Sequence, residues 1–166
     1  DFCLSRGLGD VYKRQIVQYS SNNTIRGNNI RGTANWCIFL QISSNNLILE
    51  NRITNNSANG MYLGSSSSGN RIIGNDIMAN AGYGLHLYCF VNNSFYHNNI
   101  VDNTQQVLNY NSTNVWDDGY PSGGNYWSDY NGTDLYSGPY QNETGNDGIG
   151  DTPYVIDESN IDNYPL

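Results

Sequence analysis

Charge is scarce in this 166-residue chain: 13% of residues are Asp, Glu, Lys or Arg, about half the share of an ordinary soluble domain. Hydrophobic residues, at 37%, are few as well, which excludes a Leu-rich helix bundle. No apolar run reaches the length of about 18 residues that a transmembrane helix needs. Low charge and 13% aromatic residues both argue against simple disorder. Cysteine is sparse: Cys3, Cys37 and Cys89 are odd in number and match neither a zinc pattern nor a disulfide framework. They are expected to be unpaired, partly buried thiols. The length suits one domain. The chain opens at Asp1 with neither an initiator Met nor a signal peptide, and is expected to be a piece of a longer protein.

Asn and Gly take the place of the missing residues, with 28 Asn and 18 Gly. Charge is also unevenly placed. The net value is −8, yet residues 114–166 carry ten acids and no Lys or Arg, while residues 16–113 are close to neutral. Two structural regimes are expected. Nothing forms a basic patch, so nucleic acid is excluded as a partner. Residues 1–15 hold three of the seven basic residues and match nothing downstream. They resemble translated adaptor sequence, and a non-native leader outside the fold is expected there.

A repeat of 23–24 residues runs through 16–113. Asn28, Asn51, Asn75 and Asn98 recur in register, as do Ile30, Ile53, Ile77 and Ile100, and also Ile25, Ile48, Ile72 and Phe95. Two further apolar columns align Ile38, Met61, Leu85 and Leu108, then Leu40, Leu63, Leu87 and Tyr110. Within each repeat the apolar residues alternate, as in Met61-Tyr62-Leu63, a period of two that means strand. Gly and Asn punctuate the strands, where left-handed backbone is needed. Short strands without a helix predict one coil of a parallel β-helix per repeat, about four coils in all. Coils stacked about 4.8 Å apart place like on like. Asn28, Asn51, Asn75 and Asn98 are therefore read as a side-chain ladder in a bend, with left-handed backbone tolerated there.

The pattern N-N-x-I-x-x-N-x-I followed by G-x-x-L resembles the parallel β-helix repeats of the periplasmic copper-binding NosD family and of carbohydrate-binding and sugar-hydrolase (CASH) domains. The stretches Gly124-Asn-Tyr-Trp-Ser-Asp-Tyr130 and Asp147-Gly-Ile-Gly-Asp-Thr-Pro-Tyr154 resemble the segment that follows such repeats in archaeal surface proteins. The resemblance implies an all-β, right-handed single-stranded parallel β-helix, in keeping with the crossover rule. It also implies an extracytoplasmic location: periplasm, cell surface or secreted. It leaves function open, because the scaffold serves binders, lyases and hydrolases alike.

Residues 114–166 also hold two Trp and seven Tyr. A solenoid end exposes strand edges and core, so this stretch is expected to be an irregular acidic cap in which Trp116, Tyr126 and Trp127 cover the last coil. The same three rings are candidates for stacking on sugars. Outward Tyr62, His86 and Asn109 are read as one column on a flat strand face, also for glycan contact. Asn146, Asp147 and Asp151, flanked by glycines, resemble a calcium loop, with Asp134 and Glu143 as additional ligands; the EF-hand register is absent. The alternative is a turn-rich loop without an ion.

Copper chemistry wants clustered His, Met or Cys. His86, His97, Met61 and Met78 show no such clustering, so copper is not expected in this stretch. Catalysis on polysaccharides needs neighbouring carboxylates. The coils offer Glu50, Asp76 and Asp102; Arg52 is one coil below Asp76 in the same column, and a surface ion pair is expected there. No catalytic residues are assigned. The predicted function is a non-catalytic module that binds a polysaccharide or glycoprotein surface, or mediates cell-surface contacts. A fragment of a lyase or glycoside hydrolase, and a NosD-type copper-delivery accessory, are the alternatives. Six Asn-x-Ser/Thr sequences, at Asn22, Asn55, Asn92, Asn111, Asn131 and Asn142, fit a surface glycoprotein.

Overall fold

The computed structural model describes residues 14–88 and 91–166. Three parallel five-stranded sheets wind around one core. The first sheet stacks Gln15–Gln18 (β1), Ile38–Gln41 (β4), Met61–Leu63 (β7), Tyr83–Tyr88 (β10) and Gln105–Tyr110 (β13). The second stacks Thr24–Arg26 (β2), Leu47–Leu49 (β5), Arg71–Ile73 (β8), Val91–Tyr96 (β11) and Thr113–Val115 (β14). The third stacks Asn29–Arg31 (β3), Arg52–Thr54 (β6), Asp76–Met78 (β9), Asn99–Val101 (β12) and Tyr126–Trp127 (β15). Each coil contributes one strand to each sheet. This is a β-solenoid of five turns with no helix among the described residues. None of its elements is therefore a helix long and apolar enough to cross a membrane.

Every strand of these three sheets is three to six residues long except the two-residue β15, and within them inward and outward side chains alternate. Ile30, Ile53, Ile77 and Ile100 pair in register and form one internal file, none more than 1% exposed. Trp127 pairs with Ile100 and continues that file into the fifth coil. Ile25, Ile48, Ile72 and Phe95 make the second file. Trp116 closes it, stacked on Phe95 at 4.6 Å. In the first sheet Val17, Leu40, Leu63 and Leu87 share one inward column, and Ile38, Met61, Leu85 and Val107 another. Each fully buried aliphatic side chain contributes about 1.5–3 kcal/mol, and identical shapes at each level leave little void.

The fifth coil differs from the expected pattern in two ways. First, it exists: four repeats are countable in sequence, but β13, β14 and β15 complete a further turn that reaches Trp127. Second, its first strand sits one residue earlier than a constant period gives. Leu85 pairs with Val107 and Leu87 with Asn109, so Leu108 and Tyr110 are not in the inward columns. Gln15 already pairs with Ile38 in β1, so the start of the fold takes in the last residue of the expected leader. Residues 1–13 of that expectation, like Cys3 and Cys89, lie outside the described residues.

The corners carry the left-handed backbone, but not at the ladder asparagines. Gly27, Glu50, Gly74 and His97, each one residue before a ladder Asn, have φ of 64°, 52°, 61° and 57°. The Asn that follows is not left-handed, and its N–H bonds to the Asn of the next coil. After β15 come two small antiparallel pairs: Tyr136–Ser137 (β16) with Glu143–Thr144 (β17), and Tyr154–Asp157 (β18) with Asn160–Asp162 (β19). The second pair packs over the end of the solenoid, where Tyr154 stacks on Trp127 at 4.2 Å.

Candidate functional site

Three asparagine ladders run the length of the solenoid. In the first, the side-chain amides of Asn28, Asn51, Asn75 and Asn98 each donate to Oδ1 of the next, and Asn98 to Asn125, at 2.9–3.0 Å. Each also sends its backbone N–H to the same oxygen. The second Nδ2 hydrogen of Asn51, Asn75 and Asn98 goes to the carbonyl of Ile25, Ile48 and Ile72 below. Asn23, Asn46, Asn70, Asn93 and Asn114 form a second ladder. Thr33, Asn56, Asn80 and Asn103 form a third, ending on Gln106. Every link runs in one direction, donor in the lower coil and acceptor in the upper. Such buried amides cost least when both hydrogens and the oxygen are paired; the corner geometry favours that pairing, with Asn114 Nδ2 the exception at the end of the second ladder.

The outer face of the first sheet carries the aromatic side chains. Phe39 stacks on Tyr62 at 5.0 Å with planes 9° apart, one coil above the other. His86 meets Tyr62 edge-on at 5.1 Å and Tyr83 at 5.4 Å. Trp36 leans on both Phe39 and Tyr62, at 5.2 and 5.0 Å. The Arg14 guanidinium lies 5.5 Å over Trp36 and 5.3 Å over Phe39. Beside this row, Tyr88 and Tyr110 stack at 5.0 Å, both exposed. Gln18 donates to Gln41 on the same face. Burial holds the His86 imidazole below its usual pKa, so the ring is neutral at pH 7.

The candidate glycan residues are dispersed by this arrangement. Tyr62 and His86 share a column, and its next member is Leu108, not Asn109. Asn109 instead donates to Asp157 at 2.6 Å and to the Ser112 carbonyl, tying the last coil to β18. Trp116 and Trp127 are 1% and 2% exposed; both are core, and neither offers a face to solvent. Tyr126 is 47% exposed and does not cover the last coil. Phe39, Trp36 and Tyr88 carried no sequence signal of their own, and Tyr110 read as a member of an inward column until its pairing with Tyr88 placed it outward. They stand at outward positions where the repeat tolerates any residue.

In the C-terminal loop the carboxylates accept from backbone N–H groups. Asp151 accepts from Leu135 N, Tyr136 N and Thr133 Oγ1; desolvation opposes its charge, but these bonds outweigh it and hold its pKa below the usual value. Asp134 accepts from the N–H groups of Asp147 and Gly148. Asp147 accepts from Gly138 and Ile149. Asn146 and Glu143 are exposed. Among the described residues, no three His, Cys, Asp or Glu side chains converge as a metal site would require.

The side chains that could bind copper are equally scattered. Met61 is fully buried in the core. Cys37 is buried, bonded to Thr33, and pushed up to about 11 by desolvation, so it is a thiol and not the thiolate copper prefers. His86 belongs to the first sheet, whereas His97 sits at a corner with Nε2 on the Ser122 carbonyl at 2.8 Å. The described residues do not fit a copper centre. The acids of the coils are no more convergent. Glu50 pairs with Arg26 at 2.8 Å, both well exposed. Asp76 accepts from Asn99 instead, and the expected Arg52–Asp76 ion pair is not formed.

A family model described as periplasmic copper-binding protein (NosD) matches residues 10–132. No curated protein and no solved structure gives a significant match. The matched stretch takes in all five coils as far as β15, and with parallel strands repeating on that period the chain belongs to the NosD family of β-helix proteins.

Proposed function

We propose that this protein is a non-catalytic, extracytoplasmic β-helix module that binds neutral glycans on the outer face of its first sheet. The family's periplasmic description supports the location. One observation carries the ligand class: that face bears rings from the second to the fifth coil, interleaved with amides and with no acid in its strands. Uncharged planar surface with amide edges suits hydroxyl-rich, uncharged rings. Most of these rings already have neighbours on their faces. Tyr110, in the last strand of the sheet, is 53% exposed, and its ring contact is with Tyr88 alone among the described residues. Its outer face is the stacking platform of this reading. The edges of Tyr62 and His86 supply hydrogen bonds beside it.

The test is a glycan array on the purified chain, followed by calorimetry on the strongest ligand. Tyr110→Ala is expected to weaken binding roughly fivefold to tenfold, the loss of one ring contact. An array without hits, or binding unaffected by both Tyr110→Ala and Tyr62→Ala, overturns the reading. Release of reducing ends from any bound polysaccharide would move the protein to the enzyme class.

A further inference from the structure

Asn residues fall into two populations. Asparagines of the first two ladders are followed, two residues on, by the inward apolar residue, as in Asn28-Asn29-Ile30 and Asn93-Ser94-Phe95. A Ser or Thr at that place would put a hydroxyl in the core, so none of these ladder asparagines begins an Asn-x-Ser/Thr sequence. All six asparagines that begin one are exposed, and among the described residues no hydrogen bond engages their side-chain amides.

The six are not equivalent. Asn22, Asn55, Asn92 and Asn111 have left-handed backbone, with φ between 50° and 61°. Their middle residues are Asn23, Asn56, Asn93 and Ser112, the first three of which are ladder members, while Ser112 is buried at 4%. Drawing such a tripeptide into another protein's active site breaks buried hydrogen bonds. Asn131-Gly132-Thr133 lies in an irregular stretch and Asn142-Glu143-Thr144 at the edge of a two-stranded pair; all six residues are exposed.

We propose that Asn142 and Asn131 are N-glycosylation sites of the folded protein, and that the four coil sites are closed once the solenoid has formed. The donor is a polyprenyl phosphate- or diphosphate-linked oligosaccharide, handled by a membrane transferase. The Asn Nδ2 bonds to the anomeric carbon, the bond from that carbon to the phosphate oxygen breaks with its electron pair leaving on the phosphate, and one amide proton passes to base. Thr133 Oγ1 is held by Asp151 at 3.0 Å, whereas the Thr144 hydroxyl makes no such bond among the described residues. Asn142 is therefore the faster acceptor. The inference needs an extracytoplasmic setting but not the glycan-binding reading.

The test uses an oligosaccharyltransferase shown to accept synthetic peptides spanning all six sequences. Folded, unglycosylated chain is incubated with enzyme and lipid-linked donor, and occupancy is read by peptide mass spectrometry after enzymatic deglycosylation in ¹⁸O water. Label at Asn142, then at Asn131, with the coil sites empty, is the expected result. Asn142→Gln removes the first without changing the melting midpoint. Equal labelling of the coil sites, or no label at Asn142 while its peptide reacts, overturns the proposal.

Discussion

The amide of Asn125 ends on the carboxylate of Asp162: its backbone N–H donates to Oδ2 at 2.8 Å and its side-chain Nδ2 to the same oxygen at 3.2 Å. A ladder of amides all pointing one way needs, at its last rung, a group that only accepts. An Asn there would bring a further amide in need of a partner. Asp162, fully buried, also accepts from Trp127 Nε1 at 2.9 Å and from Tyr164 N. Its partner ladder shows the difference: it ends toward Asn160, and Asn114 Nδ2 is left buried without a partner. Asn125 Nδ2 keeps the carbonyls of Phe95 and Trp116, but Asp162→Ala leaves Asn125 N, Trp127 Nε1 and Tyr164 N without their acceptor and is expected to cost about 3 kcal/mol or more, read as a fall in the urea midpoint.

Asp162 also gives a pH signature. Desolvation raises its pKa from 3.8 to about 6, against the four N–H donors that favour the anion. The folded state thus holds the proton more tightly than the unfolded chain. Stability from this group is full below pH 3.8 and is lost as pH rises through about 6, a difference on the order of 3 kcal/mol. His86, with its pKa lowered, has the opposite sign: its contribution is present above pH 6.5 and falls on acidification. The difference between wild type and Asp162→Asn isolates the carboxylate. Chemical denaturation from pH 4 to 7 should show the wild-type stability falling relative to the variant; a flat difference removes the assignment.

The ladders predict a contrast between neighbouring asparagines. Asn75 accepts from Asn51 and donates to Asn98 and to the carbonyls of Ile48 and Ile73. Asn75→Ala strands several buried partners and should destabilise by about 2–4 kcal/mol, as much as truncating an isoleucine of the internal file. Asn92→Gly, at an exposed corner whose left-handed backbone glycine adopts freely, should change stability by about 0.5 kcal/mol or less. Thermal or urea melts of the pair decide this.

The interior was legible in sequence where the chain repeats with constant length. Ile30, Ile53, Ile77 and Ile100 sit at a fixed phase because each inward position must match the one below. The continuation of that file in Trp127 was not, because the stretch between β14 and β15 lengthens the step from Asn98 to Asn125 to 27 residues. The register of the fifth coil escaped for the opposite reason: the step from Leu85 to Val107 is shorter than the repeat. Burial of Trp116 and Trp127 is likewise invisible locally, since a Trp in an acidic, Gly-rich segment reads equally well as cap or as binding surface. Outward rings such as Phe39 and Tyr88 obey no period that the fold imposes, so a candidate surface built from them emerges only when the coils are stacked.

Ile42 carries a backbone strain that the solenoid imposes. Its φ is 50°, left-handed, at a β-branched residue, a combination that costs about 1–2 kcal/mol. The side chain is 40% exposed, so little packing offsets that cost. Ile42→Gly should relieve it and raise stability by about 1 kcal/mol, even though glycine loosens the unfolded chain. A lower melting midpoint for Ile42→Gly would mean that the exposed isoleucine contributes packing beyond what its exposure indicates.

Divalent metals should leave the fold indifferent. The oxygens of Asp134, Asp147 and Asp151 face N–H groups of the loop, so a calcium ion would have to replace N–H donors with itself and then find further oxygens. The lowered pKa of Asp151 means that these bonds favour its charge already at neutral pH, without a cation. Removing calcium with chelator is therefore expected to leave the melting midpoint unchanged, since a ligand bound only to the folded state would raise it. Copper gives the sharper comparison. With Cys37 buried as a thiol and His86 and His97 on different parts of the coil, titration with Cu(I) or Cu(II) should show no saturable heat near stoichiometry. Saturable binding that survives His86→Ala and His97→Ala would place a copper site among residues outside those described, and saturable binding lost in either variant would show that the solenoid rearranges to bring them together.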